Sequence, residues 1–453
     1  MDARRTFDVF FFDSAVKNQR YIFDYASGRK KAYDLSFIDQ ASQCISSFLQ
    51  KKGIKKGEIV AIHSETSNIH WFITEFAIQR IGAICFPIPN KLNSSRLLNL
   101  LQQAQPAFIL NLSIDAHERI KSIAEEIQSL KGYEALIENQ PAYRQILTPL
   151  EAEDVIKIKQ HQTAVHEHDP ACLLFSPGNS GPSKGVILSH KNILSNVEGF
   201  INLSSLTEGK RFLSLGHLSN AFERIALFAA VYQRCRVHFS TRKIAVLGQE
   251  FQKIKPHYLA FSTKKLEELK GSFFFDSTTK NQLHSYLQQK LNSLLSNIPL
   301  SQRLSFKNWI QIRLIDLVIF KDWRKRTGGK ILTIYVVGSP VKEQTIKLFT
   351  WAGIEIKEGY GLMENTSLVS INGFKDSDTK WGTSGVILPR VKVKIDKAES
   401  EEVGEILFCG LSKRIGVLNQ SPNEWKDAPK EWIRTGDIGQ LVDNKYLKIL
   451  KRK

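Results

Sequence analysis

A chain of 453 residues is too long for a single hydrophobic core, so two or more packed bodies are expected. Hydrophobic residues make up 42% and charged residues 24%, a globular balance that excludes intrinsic disorder. The formal charge of +18, from 63 Lys and Arg against 45 Asp and Glu, points either to anionic partners or to a solvated basic surface that keeps the protein soluble; the basic residues are scattered in short clusters and form no nucleic-acid module, so nucleic acid is not an expected partner.

The N-terminal stretch MDARRTFDVFFFDSAV is apolar only between charges, too short for a signal peptide or a membrane span. Over 36–52, Phe37, Ile38, Ala41, Ile45, Phe48 and Leu49 recur at helical spacing, and Gly53 stops the helix. Residues 58–63 read as a buried strand and 68–81 as a helix with Ile69, Phe72, Ile73, Phe76 and Ile81 on its apolar side. Gly82 breaks that helix. AICFPIP is the next strand, 94–104 another helix and AFILNL another strand. Such alternation predicts an α/β fold with parallel sheets covered by helices.

Farther on, CLLFS (172–176) is a strand that runs into a Gly-rich turn, with a helix beginning near Ser189. Residues 264–330 are mainly helical and rich in Leu, Lys and Gln. Residues 331–337 form a buried strand ended by Gly338-Ser339-Pro340. After about residue 371 the pattern turns to short strands: VKVKI, EILFCG, GQLV and YLKIL. The expected organisation is two α/β subdomains over 1–370, with a helical insertion at about 264–330, and a smaller β-rich subdomain over 371–453. The five cysteines are odd in number, far apart and form no CxxC, which fits a reducing cytoplasm better than a disulfide framework or a zinc site.

The segment Phe175-Ser-Pro-Gly-Asn-Ser-Gly-Pro-Ser-Lys-Gly185 carries the most chemistry. Glycines let the backbone turn and present N–H groups, Ser176, Asn179 and Ser180 add polar side chains, and Lys184 adds a fixed positive charge: an anion nest for a polyphosphate. It is not a Walker loop, because Lys184 follows Gly181 by three residues and is itself followed by Gly185. By itself the run also reads as a polar surface turn.

Residues 175–192 resemble the YTSGTTGxPKGV loop of the adenylate-forming, AMP-binding enzyme superfamily, with Gly178, Gly181, Lys184, Gly185 and Val186 matching. Pro177 stands where that family has Ser, and Asn179 where it has Thr. Glu358-Gly359-Tyr360-Gly361-Leu-Met363-Glu364 resembles EGYGxTE, a segment whose Tyr packs on adenine, whose Thr touches the α-phosphate and whose Glu helps hold magnesium. Met363 replaces that Thr and cannot donate a hydrogen bond. Gly338-Ser339-Pro340 resembles the turn lining the adenine pocket, and Arg434-Thr-Gly-Asp437-Ile-Gly resembles TGDxG, whose Asp accepts the ribose hydroxyls with Arg452 assisting. Alone, each would read as a turn.

Two further segments resemble the long-chain fatty acyl-CoA synthetase branch. LSLGHLSNAFERI (213–225) ends on its Phe222-Glu223-Arg224, with Asn220 on the family's His position and His217 on a Pro position, where a structural role is expected for His217. Residues 314–330 resemble its helical insertion ending in GG[KR]. The resemblance spans roughly residues 20–453 and implies the large N-terminal domain of these enzymes: two helix-flanked, mostly parallel sheets plus a β-rich part. It implies that a fatty acid attacks the α-phosphate of ATP, with Lys184 and Glu364 catalytic and Glu364 holding Mg2+. Ser176, Gly178, Asn179, Ser180, Gly181, Gly338, Ser339, Pro340, Glu358, Gly359, Tyr360, Gly361, Met363, Asp437 and Arg452 would bind the nucleotide.

CoA, or an acyl carrier, would take the acyl group. The chain ends where the family's hinge begins, so the small C-terminal domain is expected to be absent, with weak adenylation and little thioester formation. A cytoplasmic protein, with peripheral contact to the inner face of the membrane, is the expected setting. The alternative is a degenerate homologue that binds a nucleotide or acyl group without turnover, favoured by Pro177, Met363 and Asn220.

Overall fold

The computed structural model describes residues 5–6, 8, 20–25, 30–66, 68–138, 140–175, 184–240, 244–272, 282–299, 305–418, 420, 424–425 and 430–452. Among these, two sheets carry the architecture. The smaller has seven strands, and four parallel pairings join Gly132–Ala135 at its edge to Phe108–Asn111, Ile59–His63, Ile84–Pro87 and Pro170–Phe175. Gly185–Ser189 and then Gly416–Val417 add on antiparallel at the end of this sheet.

The larger sheet has thirteen strands. One half is parallel: Arg20–Asp24, Arg236–Phe239, Arg211–Ser214, Tyr258–Ser262, Thr333–Val337 and Glu355–Gly361 lie side by side, with Lys31–Asp34 antiparallel at the edge. The other half is antiparallel: Leu368–Ile371, Val386–Ile387, Tyr446–Lys451, Ile433–Val442, Gly404–Gly410 and Val391–Asp396. The short C-terminal strands therefore hydrogen-bond onto the parallel half as one continuous sheet. The late strand Gly416–Val417 crosses to the small sheet, so residues after 371 serve both.

The helices follow the sequence spacing closely. Leu35–Lys51 is capped by Asp34, whose carboxylate accepts from Phe37 N, and Ser94–Ala104 is capped by Asn93 in the same way. Ser189 closes a capping box with Asn192 at the start of His190–Leu203. The helix Ile69–Arg80 departs from expectation: it is buried on every side, polar residues included. The insertion comprises Thr263–Lys270, Gln282–Asn297, Phe306–Ile315, a π-helical turn Asp316–Phe320 and Lys321–Arg326. No described helix is long and apolar enough to cross a membrane.

Candidate active site

Two motifs that read as turns lie inside strands. Glu358-Gly359-Tyr360-Gly361 is the second half of the strand Glu355–Gly361. A Cβ on Gly361 would lie 1.5 Å from Ser367 O and one on Gly359 2.9 Å from Ser370 O, so the glycines are what let Leu368–Ile371 pair this closely. Thr435-Gly436-Asp437 sits within the ten-residue strand Ile433–Val442, at a register shift opposite Glu405–Leu407. Gly436 takes φ +76° there, and the bulge re-aims Asp437 into the protein.

The two strands meet at one cluster. The buried Tyr360 hydroxyl donates to Asp437 Oδ2 at 2.7 Å. Arg452 lies with its guanidinium 5.1 Å from the Tyr360 ring centre and its Nε 3.6 Å from Asp437 Oδ2. It also donates from Nη1 to Gly338 O at 2.7 Å and from Nη2 to Gly361 O at 3.4 Å. Burial first, then the Asp437 carboxylate, pushes the Tyr360 phenol well above its ordinary value. Thus Gly338, Gly361, Tyr360, Asp437 and Arg452 are brought together from the ends of three strands and the middle of a fourth.

Gly338, Tyr360 and Arg452 of this cluster line a cavity of about 300 Å³, whereas Asp437 and Gly361 do not line it. The turn Gly338-Ser339-Pro340 forms one wall, held where Thr263 Oγ1 donates to Ser339 O at 2.5 Å. Gly338 has φ +134°, a conformation few side chains tolerate. Glu358 and Gly359 also line the cavity. Burial pushes the Glu358 carboxyl up to about 7, offset in part by the hydrogen bond its Oε1 accepts from Val341 N at 3.0 Å.

Lys184, Met363 and Glu364 do not line this cavity. Met363 is half-buried and packs against the main core. Glu364 is half-buried, and no described residue bonds or pairs with its carboxylate. A strap ties Glu364 to the strand after the exposed Lys184: Arg414 N donates to Glu364 O at 2.8 Å, Ile415 N to Ile187 O at 3.1 Å, and Leu418 N to Gly185 O at 2.9 Å. Ser176, Gly178, Asn179, Ser180 and Gly181 lie outside the described residues.

The sequence reading missed Trp381, Gly382, Thr383 and Ser384, which line the cavity together with Tyr360. The run Trp-Gly-Thr-Ser-Gly is a turn signal, and Gly382 and Gly385 have φ +76° and +80°. Ser384 Oγ donates to Leu447 O at 2.8 Å, fixing this turn to the strand that leads to Arg452. His217 has the structural place expected of it: Nε2 lies 2.8 Å from Ser64 O and Nδ1 2.7 Å from Ser219 Oγ, with the ring edge-on to Trp71. Asn220 caps the helix Ala221–Tyr232 by accepting from Phe222 N and Glu223 N.

The chain is similar to known proteins along nearly its whole length. It is 24% identical over 411 residues to the long-chain-fatty-acid–CoA ligase FadD15 of Mycobacterium bovis, covering 88% of this chain and 66% of that protein. It is 22% identical over 450 residues to human long-chain-fatty-acid–CoA ligase 1, covering 92% of this chain and 62% of that protein. The chain thus spans roughly two thirds of the length of these relatives. Its fold matches the inhibitor-bound N-terminal domain of FACL13 from Mycobacterium tuberculosis, with a TM-score of 0.75, 14% identity and all of both chains covered. The anthranilate CoA ligase AuaEII in complex with anthranoyl-AMP follows at a TM-score of 0.73 and 17% identity, over 99% of this chain and 77% of that one. The family model described as AMP-binding enzyme matches residues 16–412, and the chain belongs to that family.

Proposed function

We propose that this chain binds ATP and a fatty acid, a long-chain one by its similarity to long-chain-fatty-acid–CoA ligases, and joins them as an acyl-adenylate. The observation that supports this best is that Tyr360 and Arg452, both in contact with Asp437, line a cavity large enough for a purine. Tyr360 offers a ring beside the Gly338–Pro340 turn. Asp437 offers a carboxylate, which has enough lone pairs to keep the Tyr360 bond while accepting from a ribose diol. Arg452 covers the ring, so an entering base either stacks on the guanidinium or displaces it.

In the proposed reaction a carboxylate oxygen bonds to the α-phosphorus while the bond to the β-phosphate oxygen breaks, and pyrophosphate leaves. No general base is needed, because the acid is already ionised at neutral pH. The protein's part is to position groups and neutralise charge, with Lys184 and the loop 176–181 at the β- and γ-phosphates. Glu364 would supply a carboxylate there, and no group of three metal-ligating side chains exists among the described residues. That fits Mg2+ brought in on the triphosphate and held through Glu364 with water and phosphate oxygens. When bound it would offset charge on those oxygens.

Passage of the acyl group to the thiol of CoA or of a carrier belongs to the same proposal for the whole protein. The second reading, binding without turnover, rests on Met363: no hydroxyl stands at its position, and the nearby Thr366 hydroxyl is already committed to Ser412 O at 2.7 Å.

Calorimetric titration with non-hydrolysable acyl-adenylate mimics of short, medium and long chain tests the proposal. Binding should tighten with chain length and weaken by about tenfold or more in Asp437→Ala, since bonds to a charged acceptor contribute roughly 1.5–3 kcal/mol. No binding at any length would end the proposal. Binding of the mimics together with no release of pyrophosphate from ATP and fatty acid would favour the second reading.

A further inference from the structure

The helix Phe306–Ile315 and its π-helical continuation are apolar on two faces. One face is buried: Ile312, Ile315, Ile319 and Phe320 join the core beneath the insertion. The other carries Phe306, Trp309, Ile310, Leu314 and Leu317, at 76%, 44%, 40%, 53% and 63% exposure. Their spacing of three and four residues places them in one stripe along the helix. A helix this apolar on its outer side is out of place in water, and most other exposed apolar side chains of the protein are scattered singly.

The stripe is organised and cationic. The Phe306 and Trp309 rings stack at 6.2 Å, and the Arg313 guanidinium sits 5.2 Å from the Trp309 ring centre. Residues 305–330 hold seven Lys and Arg against two Asp. Both acids are already engaged, Asp316 by Arg324 at 2.6 Å and Asp322 by Arg326 at 2.7 Å. On the adjoining helix Gln282–Asn297, Leu283 and Tyr286 are 54% and 63% exposed. Aromatic and aliphatic tips interleaved with unneutralised cations, on a helix too short to span a bilayer, match the headgroup region of an anionic membrane: apolar tips enter the acyl boundary while Lys and Arg meet phosphates.

We propose that this face of the insertion is an in-plane docking surface for an anionic lipid bilayer. The inference rests on the surface alone: a chain that fails to form an adenylate would still dock, and one that failed to dock would still bind an adenylate mimic.

The test is sedimentation of the 453-residue chain with vesicles of phosphatidylcholine containing about a third phosphatidylglycerol, beside vesicles of phosphatidylcholine alone. Two variants accompany it, Trp309→Ser/Leu317→Ser and Lys307→Gln/Lys321→Gln/Lys325→Gln. All five positions lie on the outside or half-buried, and circular dichroism checks that both variants fold. The parent should bind the anionic vesicles and lose that binding in about 0.5 M salt. Each variant should bind them about tenfold more weakly or worse. Folded variants that bind as the parent does would overturn the proposal, as would a parent indifferent to phosphatidylglycerol. A concentration-dependent dimer that disappears in Trp309→Ser/Leu317→Ser, without vesicle binding by the parent, would assign the face to a second copy of the chain instead.

Discussion

Glu358 carries the clearest pH signature in the cavity. Its carboxyl, pushed by burial to about 7, has an ordinary value of 4.5. The folded chain therefore holds this proton more tightly than the unfolded chain does. Between about pH 4.5 and 7 the native state binds more protons, so stability falls as pH rises across that window and levels off above it. A shift of this size corresponds to roughly 3 kcal/mol, which partial solvation in the cavity reduces to about 2 kcal/mol. Glu358→Gln removes the titration. Urea unfolding at pH 5 and pH 8 should show the variant gaining about 2 kcal/mol on the parent between the two. Parallel stability curves for parent and variant would show that Glu358 titrates normally.

At the level of elements, apolar periodicity made Ile69–Arg80 legible as a helix but could not show that its polar face is buried too. The partners come from far along the chain. Glu75 pairs with Arg224 of the helix Ala221–Tyr232, and both side chains are almost wholly enclosed. Arg224 also donates to Cys172 Sγ at 3.0 Å, on a strand of the small sheet. Arg80 Nη2 bonds Asp39 Oδ1 at 2.7 Å. The Phe222-Glu223-Arg224 signature thus includes a packing device that locks a helix of the large sheet to a helix and a strand of the small one. Glu75→Gln leaves Arg224 as an uncompensated buried charge and should cost about 3–5 kcal/mol. Glu75→Leu/Arg224→Met, which removes both charges, should recover most of it. Denaturant midpoints decide: equal losses in the single and double variants would mean that the cost lies in packing volume and not in the charge. The Gly-rich EGYG and TGD segments misled as turns for a related reason. Their glycines serve close strand pairing and a bulge, and a sequence does not reveal which strand will approach.

At the scale of the whole molecule, the alternation of strands and helices was legible because each short apolar run is a strand buried on both faces. The sheet that joins residues 20–24 to 446–451 was not, since register across such separations is set by packing of the finished body. The candidate site shows the same division. Tyr360, Asp437 and Arg452 were legible by their motifs, whereas the Trp381–Ser384 turn is part of the site because Ser384 is bonded to Leu447 on the strand that leads to Arg452. The proposed ligand would touch both sheets, the base and ribose on the large one and the phosphates near the Lys184 end of Gly185–Ser189 on the small one. Binding should therefore stabilise the two sheets together. At an ATP concentration about a hundredfold above Kd, linkage contributes about 2.7 kcal/mol, which for a chain of this length raises the unfolding temperature by about 3 °C. Scanning calorimetry with and without ATP should move the entire heat-absorption profile upward, and Asp437→Ala, binding about tenfold more weakly, should cut the displacement to about half or less. A profile that splits, with ATP moving only one part, would mean that the nucleotide engages one sheet and that the two unfold independently.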